Sequence, residues 1–157
     1  MTAAPDARTL LEAARARLVG RPRERLGDWA HARKLLGFGR APRIVPVGEA
    51  WHVGVLLIAD AAVYATGEVL RAREDAIRGF TAESQRERAA RAAAAFRGGF
   101  AEGETLHLGW TEIDLDALAR GVESGPLTLI DGIPSVRWSA TGIRPLADYL
   151  DDQIALR

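Results

Sequence analysis

Cysteine is absent from all 157 residues. That excludes disulfides, thiolate nucleophiles and cysteine-ligated zinc or iron–sulfur centres, and with them a secreted fold stapled by disulfides. Lysine is almost absent too: Lys34 stands against twenty arginines. The bias matches that of a GC-rich genome, so arginine–carboxylate pairs are expected on numbers alone. No long apolar run exists. The longest, Val53 to Ala59, falls far short of the ~20 residues that a membrane span needs. The N-terminal stretch is broken by Asp6, Arg8, Glu12, Arg15 and Arg17, unlike the apolar region of a secretory signal. A cytoplasmic protein without membrane contact is the expectation.

Several reaction classes lack their residues. Gly37-Phe38-Gly39 runs into Arg40-Ala41-Pro42, and Pro42 prevents the helix start that a dinucleotide fingerprint requires. There is no Gly-Lys-Ser/Thr and no His-Glu-x-x-His. None of Ser84, Ser124, Ser135 and Ser139 sits in a Gly-x-Ser-x-Gly elbow. Lys34 has His31 three residues before it, so a Ser-x-x-Lys site is missing. An N-terminal nucleophile would need Thr2 to open a buried strand, but Thr2 precedes a charged helical stretch. No cofactor motif is present, and neither a cofactor nor a metal is expected.

What is present is ordinary globular composition, 48% apolar and 27% charged, enough to bury a core without a staple. The length fits one domain spanning residues 1–157, with an N-terminal helical hairpin over 1–40 and an α+β core over 41–157. Net charge is zero but unevenly spread. Residues 1–43 carry ten basic and four acidic side chains, and residues 101–157 carry four and ten. The complementary ends are expected to meet within the fold or across a homodimer. A basic arm for nucleic acid is the less favoured reading, because the acidic third would repel the same phosphates.

Leu10, Leu11, Ala14 and Leu18 form a helical stripe ending at Gly20. Pro22 then suits the start of a second helix through Leu26, Trp29, Leu35 and Leu36, closed by Gly37 and Gly39. The period next falls to two. Arg43–Val47, Trp51–Ile58 and Val63–Leu70 read as an antiparallel meander. Residues 71–79 read as a charged loop. Thr81 can cap an alanine-rich helix that runs to Gly98-Gly99. Thr105–Trp110 is a strand and Asp114–Ala119 a short helix. Leu127–Ile130 and Ser135–Trp138 flank Asp131-Gly132 as a hairpin, and a last helix covers Leu146–Leu156. The expected class is α+β: a mostly antiparallel sheet of about five or six strands, helices on one face, and an N-terminal helical hairpin.

Three histidines remain as candidate chemistry. His31 is expected to face solvent. Strand alternation puts His52 opposite Trp51 and Val53, and puts Thr105 and His107 opposite Leu106 and Leu108. Ser135 and Arg137 lie opposite Val136 and Trp138. If these outward residues converge with Glu68, then His52, Glu68, His107 and Arg137 are catalytic candidates: a histidine base, an arginine anion clamp and a carboxylate partner. The two histidines with Glu68 are also a conceivable metal set, at a spacing that carries no specificity. The simpler reading is the polar face of a half-buried sheet. Trp51, Trp110 and Trp138 fall on the apolar phase and are expected in the core, with Trp29 less buried.

Three stretches, Ala41-Pro-Arg-Ile-Val-Pro-Val-Gly-Glu-Ala-Trp51, Phe96-Arg-Gly-Gly-Phe-Ala-Glu-Gly103 and Asp131-Gly-Ile-Pro-Ser-Val-Arg-Trp138, resemble a group of short uncharacterised bacterial proteins, some labelled glutaminase. The resemblance brings no residue roles. Serine-type glutaminases need Ser-x-x-Lys and amidotransferase types a cysteine, and this chain has neither. The expectation is a module that binds a protein partner or a small ligand. An amide or ester hydrolase on the His/Glu/Arg face is the alternative, and nucleic-acid binding through the basic N-terminal helices comes third.

Overall fold

The computed structural model describes residues 3–31, 41–74 and 82–157. In chain order its elements are α1 (Ala7–Leu18), β1 (Glu24–Trp29), β2 (Ile44–Val53), β3 (Leu56–Ile58), β4 (Val63–Ala65), β5 (Glu68–Arg71), α2 (Glu83–Arg97), β6 (Thr105–Leu108), β7 (Thr111–Glu112), α3 (Leu115–Ala119), β8 (Leu127–Ile130), β9 (Ile133–Arg137), β10 (Ile143–Pro145) and α4 (Leu146–Ala155). The class is α+β. The chain forms two compact units: Met1–Arg23 with Ala50–Thr66 and Trp110–Arg157, and Glu24–Glu49 with Gly67–Gly109.

The first unit is built on the end of β2. Its strands run β2-β3-β4-β7, all antiparallel, with Trp51 opposite Ile58 and Leu57 opposite Tyr64. The link between β2 and β3 is tight. Gly54 has φ +61°, and a Cβ there would lie 1.8 Å from the Tyr149 hydroxyl. That hydroxyl accepts the Val55 N–H at 2.9 Å. Helix α1 starts at Asp6, whose carboxylate accepts the Thr9 N–H at 2.8 Å; this bond holds Asp6 below the usual carboxylate range. The stripe Leu11, Ala14 and Leu18 is buried as its spacing predicts. It joins Trp51, Val53, Leu56, Val136, Tyr149 and Leu150 in one core. A separate three-stranded sheet, ordered β10-β9-β8, covers part of that core. Its β8–β9 turn has φ +51° at Asp131 and +76° at Gly132, the left-handed pair that a two-residue hairpin requires.

The second unit runs β5-β6-β1-β2. Strand β6 is antiparallel to β5 and parallel to β1. Helix α2 lays Ala92–Ala95 against this sheet, and Ala94 and Ala95 meet Leu70, Leu106 and Phe100. Gly98, just past the helix, crosses β2 so closely that a Cβ would lie 1.7 Å from the Ile44 carbonyl oxygen.

Three expectations change. Seven strands take part, with β2 serving both units, so the main sheet exceeds the five or six expected. The second helix of the N-terminal hairpin is replaced over residues 24–29 by β1, while its expected end, like the Thr81 cap and the tail of the 71–79 loop, lies outside the described residues. Trp138 is 47% exposed and not in the core, because β9 stops at Arg137 and the indole lies on Gly142, where a Cβ would approach it to 2.5 Å. Trp51 is buried and Trp29 exposed, as anticipated.

Candidate functional site

Of the candidates, His52 and Arg137 belong to the first unit, and Glu68 and His107 to the second. His52 lies near the end of β2 in the first unit, and its Nε2 is 2.9 Å from the Gly54 carbonyl oxygen. An acceptor in that position fixes the proton on Nε2. Arg137 closes β9, half exposed, and sits 4.0 Å from Glu123.

Glu68 and His107 share the second unit. The β5–β6 register pairs Glu68 with Leu108 and Val69 with His107. Neighbouring register pairs face opposite ways, so Glu68 and His107 emerge on opposite faces of the sheet. Glu68 faces α2. It accepts two bonds from Arg91, at 2.7 and 2.9 Å, and one from Arg88 at 3.2 Å. The carboxylate raises the Arg91 pKa above its ordinary value. Its work is to hold the helix on the strand.

The His107 ring is fully buried. Its Nε2 lies 3.0 Å from Glu24 Oε1. A carboxylate in that place accepts the Nε2 proton and so fixes the tautomer. Glu24 escapes the sequence reading because residues 21–36 look helical. Gly27 is the signal that argues otherwise: it interrupts the stripe, and a Cβ there would come within 2.8 Å of Ile44 and 2.9 Å of Leu106. Only a strand in close register needs such a glycine. Next to Glu24, Arg25 grips Glu104 with two bonds of 2.6 and 2.8 Å. The guanidinium holds Glu104 below the usual carboxylate range, helped by the Ala101 N–H.

An open groove of about 440 Å³ lies in the first unit, between Arg8, Ala61–Val63 and Glu112–Asp116. Three of its charged side chains are engaged. Arg8 and Asp116 form an ion pair at 2.8 Å, and Asp114 caps α3 through the Ala117 N–H.

The outward face of the small sheet is different in kind. Leu127 and Val136 turn inward to the core. Strand alternation then turns Ile130, Ile133 and Arg137 outward, and cross-strand pairing puts Ile143 beside Arg137 and Pro145 beside Ser135. Ile130, Ile133 and Ile143 are 42%, 45% and 38% exposed. Glu123 rims this face, accepting the Thr128 hydroxyl at 3.2 Å. An antiparallel sheet with one buried face ordinarily turns polar groups outward. Here isoleucine from each of three strands faces water.

No family model matches the chain, and no curated protein or solved structure matches it significantly.

Proposed function

We propose that this chain is a protein-binding module whose surface is the outward face of β8–β9–β10. The observation that carries the reading is the exposure of Ile130, Ile133 and Ile143 on one sheet face. Exposed apolar side chains at both ends of one sheet face, with Arg137, Glu123 and Asp131 nearby, are the kind of surface that protein interfaces use. No helix among the described residues is long and apolar enough to cross a membrane. With no cysteine to form disulfides, the cytoplasm is the natural compartment for such a module.

The test is a comparison of complexes formed in extract of the source cells. The wild type should retain a protein that Ile133→Asp loses and Val122→Asp keeps; Val122 is exposed but outside the face. Recovery of the same proteins by all three chains would overturn the reading.

An amide or ester hydrolase is the second reading. The Glu24–His107 contact favours it, since a carboxylate-held imidazole is a general-base arrangement. Full burial of the His107 ring counts against it, because a substrate has to reach the base. Nucleic-acid binding gains no support from the N-terminal arginines. Arg8, Arg17 and Arg23 pair with Asp116, Asp151 and Asp60, and Arg15 bonds Glu12 and the Ala59 carbonyl.

A further inference from the structure

We draw no further inference here: the strongest candidate, the outward isoleucine patch on the β8–β9–β10 sheet, belongs to the surface already described, and nothing in the structure shows what covers it.

Discussion

Gly54→Ala should be among the most damaging single-methyl additions in the first unit. Two costs combine. The backbone at Gly54 sits at φ +61°, where a residue with a Cβ loses about 1 kcal/mol relative to glycine. The new methyl would also stand 1.8 Å from the Tyr149 hydroxyl and 2.7 Å from its ring carbon. Neither distance is tolerable, so Tyr149 must leave its place. Tyr149 is almost fully buried in the core, and its hydroxyl accepts the Val55 N–H. Losing that acceptor costs about 1–2 kcal/mol, and displacing a buried ring adds a comparable amount, for a total of roughly 3–5 kcal/mol. The assay is urea denaturation followed by tryptophan emission, in a double-mutant cycle with Tyr149→Leu. Removing the ring removes the clash, so Gly54→Ala in the Tyr149→Leu background should cost only the ~1 kcal/mol of backbone strain. Purely additive costs would refute the argument, since the Gly54–Tyr149 contact would then carry nothing. The same substitution should disturb His52, whose Nε2 bonds the Gly54 carbonyl.

Acid should weaken the second unit through Glu104. Its pKa is lowered by Arg25, so its contribution is complete above the unfolded value near ~4.3 and is lost as pH falls through the folded value. Urea midpoints of Glu104→Gln should therefore depend less on pH below about 5 than those of the wild type, and parallel curves would contradict this. Purified protein should release no ammonia from glutamine, for want of a nucleophile. Steady release that His107→Ala abolishes and Val122→Ala preserves would reverse the order of the two functional readings.

The elements most legible in the sequence are those whose local chemistry and tertiary setting agree. Asp6 and the Leu11–Leu18 stripe announce α1. Asp131-Gly132 announces the β8–β9 turn, and both residues do adopt the left-handed backbone it needs. The alanines before Gly98 announce α2, because only small side chains let a helix lie that close to β2. Strand β1 is hidden for the opposite reason. Arg21 to Leu36 has helical spacing and a proline suited to a helix start, and what overrides them is pairing with β6, more than seventy residues away. Long-range pairing leaves no local trace except the glycine it requires, Gly27. The phase of β9 was likewise readable up to Arg137, since Val136 inward implies Ile133 and Arg137 outward. What misleads is Trp138, which continues the apolar phase by one residue past the strand's end. Reading the indole as core makes the opposite face look like the ordinary polar one. Once β9 ends at Arg137, that face is instead defined by Ile130, Ile133 and Ile143. Three aliphatic residues in outward phase on three neighbouring strands lie outside this chain's own core. Burial of apolar area stabilises only where a second surface excludes water, and on the proposed reading a protein partner supplies that surface.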